Sequence, residues 1–340
     1  MWSNLRAYRA TLLAAPTSMA ELSRGRGEAS RNPPWLGVAY GEHLSREDLA
    51  ELARLAAVDP AELRRDPALL VDVLARAEVV DGLLAVGVGE GHQAGGVALA
   101  PTSPFLVFAA VVEAGARDLA AAPSVPEWVG PRRRVPVLGP ADLVELLEAP
   151  ERRFFLASLL ASFTTLASGS VVLRTRRGLR RQRFNELDPV RLASLLEVVP
   201  VPERPGLYRR LGDVALFLTG VFPDHTAGGL GPHAEGRLLR TLPARAGVAV
   251  GSGSGLPPGL AVPPAVALLE TLGPQWYRAA WRAVQPPRPS SLEVAVGIAD
   301  RFDVARRTLN VLSERYLFSA RERWWGMAGG SGPYPSGAAG

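Results

Sequence analysis

Apolar residues recur at spacings of three and four along most of this chain, and change to alternation over one stretch. That pattern predicts helices and one β-ribbon. Leu49, Leu52, Ala53 and Leu55 form the stripe of a helix that Ser45-Arg-Glu-Asp48 opens as a capping box and that runs to Ala57. Asp59-Pro60 caps a short helix, and Asp66-Pro67 caps another running towards Leu84. Further helices are predicted from Pro104 to about Ala122, from Pro140, from Phe154 to Ser168, from Asp188-Pro189 to about Val199, over Tyr208–Phe222, and over Pro264–Val284. A last one, about Ser291 to Phe318, sets Phe302, Ala305, Leu309, Leu312 and Tyr316 on one seam. Residues 3–30 also read as helix, ended by Pro33-Pro34.

The alternation falls at 170–184. Ser170–Arg176 and Leu179–Phe184 flank Arg177-Gly178, a two-residue hairpin turn. With that turn Arg176 pairs with Leu179, Arg174 with Arg181 and Val172 with Arg183. Arg174, Arg176, Arg181 and Arg183 then share one face, and Val171, Leu173 and Phe184 meet the helices on the other.

The predicted fold is mainly α: a multi-helix globular protein with one arginine-rich β-hairpin. An N-terminal helical part (1–122) joins a C-terminal one (140–320) through a Pro/Arg linker (123–139) holding Arg132-Arg-Arg134. Gly87–Gly96 and Pro223–Pro264 read as loops, and 321–340 as a disordered tail. Phe154–Leu173 lacks charge and is long enough to span a bilayer, but its serines and threonines fit a buried helix running into a strand. The N-terminus carries Arg6 and Arg9 before a very short apolar run, so no secretory leader is expected.

Composition sharpens this picture mainly by exclusion. At 340 residues the chain can bury a sizeable core. All 38 basic residues are arginine, which removes the lysine of phosphate-binding loops and Schiff bases. With no cysteine there is no thiol nucleophile, disulfide or thiolate metal site, which accords with a cytoplasmic location.

Charge matters more. Six arginines lie between Arg174 and Arg183 with no acid among them, and without them the formal charge of +5 falls to −1. The chain is near neutral apart from one concentrated basic element. Guanidinium forks suit phosphates and carboxylates, so Arg174, Arg176, Arg181 and Arg183 are the candidate anion-binding residues. Nucleic acid is a less favoured partner, because no aromatic platform interleaves them. Glu186, Asp188 and a neighbouring helix are the candidate internal counter-charges.

Other candidates are looser. Asp224, His225, His233 and Glu235 lie in one loop and carry the donor types of a divalent metal site. Leu49–Arg64 has the outline of a DNA-binding helix-turn-helix, though its second helix has barely two turns before Asp66-Pro67. Gly89-Glu-Gly-His-Gln-Ala94 matches a dinucleotide pattern without the flanking strand and helix it needs. Asp213, alone on an apolar helix, needs a partner; Arg209, Arg210 or a hairpin arginine would make it a structural ion pair.

The segments Arg174-Thr-Arg-Arg-Gly178, Glu186-Leu-Asp-Pro189 and Tyr208–His225 resemble an uncharacterised, mainly actinobacterial protein family, with a looser echo at Leu309–Leu317. The resemblance covers about half the chain. It implies a bacterial origin and a helical fold, and it assigns no catalytic residue.

The leading expectation is a non-enzymatic cytoplasmic protein, without cofactor or membrane span, whose hairpin docks an acidic protein patch, a phosphate-containing ligand or nucleic acid. The rivals are metal-assisted hydrolysis at Asp224, His225, His233 and Glu235, and a helical scaffold that oligomerises through its last helix.

Overall fold

A computed structural model describes residues 32–88, 102–165, 168–175, 178–231, 233–242 and 263–318, with the backbone alone at 86–88 and across 168–184. The expected helix at 3–30, the Gly89–Ala94 pattern and the C-terminal tail lie outside the described residues. The fold is mainly α, as the periodicity implies.

The first helix, α1 (Pro34–His43), starts where the sequence suggested an end. Pro34 occupies its first position, where a missing N–H costs nothing. The expected capping box opens α2 (Arg46–Ala56), with Ser45 and Asp48 bonding each other's backbone N–H. Asp48 also accepts from the Ser103 N–H at 2.7 Å, so one fully buried carboxylate fixes the start of α2 and of a helix 55 residues on. Asp59 caps α3 (Pro60–Arg65) and Asp66 caps α4 (Pro67–Leu74). The helix expected to reach Leu84 breaks there, and α5 (Ala77–Val88) follows. With six residues and Leu63 buried, α3 does not have the length or the free face of a groove-reading helix. Helix α6 (Pro104–Ala121) closes this part.

The stretch expected to be a linker is a second hairpin, β1 (Ser124–Gly130) and β2 (Arg133–Leu138). Pro126 pairs with Pro136, which hid the strands from the sequence reading. A two-stranded ribbon tolerates proline because each strand has an edge whose N–H groups need no ladder partner. The ribbon is not a free spacer, since Val125, Trp128 and Val129 are buried.

Next come α7 (Ala141–Glu148) and α8 (Pro150–Ser162), then the arginine-rich hairpin, β3 (Ser168–Thr175) and β4 (Gly178–Asn185). Its register corrects the predicted one. The last pair is Thr175 with Gly178, so Arg174 faces Leu179, Val172 faces Arg181 and Ser170 faces Arg183. The register is thus offset from the expected one, and Arg176 lies outside the described residues. Arg174, Arg181 and Arg183 keep the same alternation, but no cross-strand Arg–Arg pair forms. Phe154–Leu173 is no single span either; among the described residues no helix is long and apolar enough to cross a membrane.

The remaining helices are α9 (Pro189–Ala193), α10 (Arg204–Val221), α11 (Pro223–Ala227), α12 (Ala234–Leu239), α13 (Pro264–Ala283), α14 (Ser290–Asp300) and α15 (Phe302–Leu312), which ends in a π-helical turn, Ser313–Phe318. Every residue of α10 from Arg210 to Val221 is buried, the mark of a central helix. Its neighbours are α13 and α15, and glycines permit the approach: a Cβ on Gly212 would lie 2.6 Å from the Tyr277 ring. The helix expected over 291–318 breaks at Arg301, whose guanidinium turns to Glu145 on α7. Its seam is interior: Phe302, Ala305, Leu309 and Leu312 are all buried. Those four side chains pack into the protein's own core, while Tyr316, the last residue of the seam, is partly buried. One contiguous core holds Leu36, Leu106, Leu156, Leu216 and Leu309, so the stretches before and after β1–β2 share their interior.

Candidate functional site

The arginine-rich ribbon follows α8 and precedes α9 in the chain. Arg210, two per cent exposed on α10, joins both ends. On the outgoing side its Nη1 donates to Ser162 Oγ at 2.8 Å and Nη2 to the Ser162 carbonyl at 3.3 Å. On the returning side Nη2 donates to Glu186 Oε2 at 3.2 Å. The guanidinium lies 3.9 Å from the centre of the Phe163 ring, and Phe163 stacks on Phe217, two turns along α10. An arginine suits this position because its planar fork can face two carboxyl or hydroxyl partners while its face covers a ring.

Asp188 finishes the return. Its Oδ1 accepts from the Val190 and Arg191 N–H groups, each at 3.0 Å, capping α9, and Oδ2 pairs with Arg191 Nε. Helix α9 in turn packs on β4. Glu186 and Asp188, the two acids nearest the hairpin in sequence, thus each hold a body arginine.

Asp213 stands one turn beyond Arg209. Its Oδ1 accepts from Arg209 Nε at 2.8 Å and from Tyr277 Oη at 2.9 Å. Arg209 lies 4.6 Å over Phe155 and donates to the Ser291 carbonyl at 3.1 Å. The Asp213 ion pair is therefore made within α10 and ties it to α13, α8 and α14. Burial, reinforced by the Asp213 charge, pushes the Tyr277 phenol well above its usual range, so it acts as a neutral donor.

The candidate metal loop is two short helices, with Asp224 and His225 on α11 and His233 and Glu235 at the start of α12. Asp224 faces the β1–β2 hairpin: Trp128 Nε1 donates to its Oδ1 at 2.7 Å, the Arg132 N–H at 3.0 Å, and Arg134 Nη2 reaches Oδ2 at 3.4 Å. Partial burial opposes ionisation there, but the Trp128 and Arg132 hydrogen bonds and the Arg134 charge outweigh it and hold the carboxyl below its usual range. His233, left-handed at φ 61°, precedes α12 and lines an open hollow with Glu235, Arg237 and Arg240. His225 belongs to α11 with Asp224. Among the described residues no group of three or more His, Asp and Glu comes together in a way that could hold a metal ion. The Asp224 lone pairs are spent on a distant ribbon that sequence spacing could not reveal.

Sequence reasoning missed the roles of Arg210, Phe163 and Trp128. The one available signal was Arg209-Arg210 beside a single acid, Asp213, on a mainly apolar helix, where two cations demand two partners. Comparisons of the chain with protein-family models, curated proteins and solved structures returned no match.

Proposed function

We propose that this is a cytoplasmic interaction protein whose β3–β4 hairpin docks an anionic partner through Arg174, Arg176, Arg181 and Arg183. The observation that carries the reading is the pairing of an acid-free, six-arginine segment with a ribbon whose two feet are joined by one buried arginine. A clamped ribbon offers its guanidinium groups with less ordering entropy left to lose on binding than a loop would. Glu186 bonds Arg210, Asp188 caps α9 and pairs with Arg191, and Asp213 serves Arg209 and Tyr277. The chemistry is recognition of phosphate or carboxylate oxygens by guanidinium forks, with affinity that falls as salt rises.

The test is capture of partners from lysate on immobilised protein across a salt series, for the wild type and for a variant with Arg174, Arg176, Arg181 and Arg183 all changed to Gln. Loss of salt-sensitive capture in the variant is expected. Equal capture by the two proteins overturns the proposal.

A further inference from the structure

A small cavity of about 90 Å³ opens between α1, α8, α10 and α14, away from the arginine ribbon. Trp35, Phe154 and Phe155 give it aromatic walls, with Trp35 edge-on to Phe154 at 6.2 Å. Glu151, Phe154, Phe155 and Ser158 reach it from α8 because spacings of three and four share one helix face.

Its polar groups are mostly acceptors in need of donors. Ser158 Oγ is enclosed and has no hydrogen-bond partner. His43 Nδ1 lies 2.9 Å from the Ala39 carbonyl, which can only accept, so Nδ1 donates there. Asp213 receives both of its hydrogen bonds on Oδ1, which leaves Oδ2 without a partner among the described residues. Glu151 forms no ion pair or hydrogen bond among them. Two carboxylates against one guanidinium, Arg209, leave the lining with an excess negative charge. The protein already uses this chemistry once, since the Arg209 guanidinium lies over Phe155 with Asp213 as its anion.

We infer that this cavity is a binding site for a small primary ammonium ion with a short apolar tail. An ammonium group carries three N–H donors, which answer Asp213 Oδ2, Ser158 Oγ and Glu151. Aromatic faces attract the positive charge, and the carboxylates neutralise it where water is scarce. The size fits an alkylammonium of roughly four or five heavy atoms, because a cavity of about 150 Å³ is what a benzene molecule fills. An anion would meet Glu151 and Asp213, and a neutral alcohol would leave the excess charge unanswered. The reading is independent of the hairpin.

The test is titration of the full chain with n-propylammonium and n-butylammonium, followed by calorimetry and tryptophan fluorescence, with n-butanol and butyrate as matched probes. Saturable binding of the amines alone is expected, weakened about tenfold by Glu151→Gln and several-fold by Ser158→Ala. Neither substitution removes a contact that holds the fold, and circular dichroism verifies this. The variant with the four hairpin arginines changed to Gln should bind the amines as the wild type does. A response to n-butanol equal to that of n-butylammonium, no saturation by the amines, or unchanged affinity in both Glu151→Gln and Ser158→Ala would overturn the assignment.

Discussion

Arg210 and Glu186 meet at 3.2 Å beneath the arginine ribbon, and the same guanidinium holds Ser162 on the ribbon's other foot. A residue on the central helix thus joins the two ends of the arginine-rich hairpin. The Arg210 and Glu186 side chains are 3% and 12% exposed, so removing either takes a charged partner from the other where water is scarce. Arg210→Ala should cost about 3–5 kcal/mol of unfolding free energy, and Arg210→Met somewhat less because it keeps the cover over Phe163. Urea unfolding of the single and double variants with Glu186→Gln gives the coupling. Additive effects would mean the pair is not a clip.

Helix α1 offers an internal control on packing. A Cβ on Gly37 would fall 2.0 Å from the Pro67 carbonyl oxygen, which is backbone and cannot turn aside, whereas one on Gly41 would meet nothing within 4 Å. Gly41→Ala should stabilise the protein by up to about 1 kcal/mol through helix propensity. Gly37→Ala should destabilise it by about 1–3 kcal/mol, because α1 must move off α4. Opposite signs in thermal unfolding are expected from two identical substitutions four residues apart.

How far the chain could be read in advance follows from the range of each interaction. The Ser45–Asp48 box and the Asp59, Asp66 and Asp188 caps close within three residues, so their signatures sit together in the sequence. The Arg209–Asp213 pair spans one helical turn, so the sequence placed Arg209 among three candidate partners, and the structure selects it. The hairpin at 168–185 showed in its alternation, but its turn did not. Gly178 suggested a left-handed turn position, yet it occupies the last rung of the ladder opposite Thr175. The β1–β2 hairpin carries a proline in each strand, and what anchors it, Trp128 to Asp224, joins residues 96 positions apart. The cavity draws on four helices, and nothing local announces it.

Asp224 makes acid stability a test of its anchoring role. Its folded pKa lies below the unfolded value, so the stability it contributes is fully present above the unfolded pKa. That contribution fades as pH falls through the folded pKa. Asp224→Asn should therefore be less stable than the wild type at pH 7, with the gap narrowing below about pH 4. A gap that stays constant with pH would show that the Trp128 and Arg132 bonds work equally well on a neutral acceptor. Added zinc, manganese or magnesium should shift the melting temperature of neither protein; a metal-dependent rise in the wild type alone would restore Asp224 to a metal site.

The interior position of the α15 seam separates a core role from an assembly role. Leu309 is fully buried against α10, where a Cβ on Gly220 would come 2.8 Å from its Cβ. Leu309→Ala should cost about 2–5 kcal/mol in urea unfolding and leave the mass measured by light scattering unchanged. A change of mass with little loss of stability would return the seam to the surface.

The most direct measurement of the central claim is the affinity of the full chain for inositol hexakisphosphate, a compact polyphosphate, titrated between about 50 and 200 mM salt. The clamped ribbon predicts saturable binding that weakens steeply with salt, falls at least about tenfold when Arg174, Arg176, Arg181 and Arg183 become Gln, and survives in Glu151→Gln. Binding of equal strength and equal salt dependence in the wild type and the four-arginine variant would contradict it.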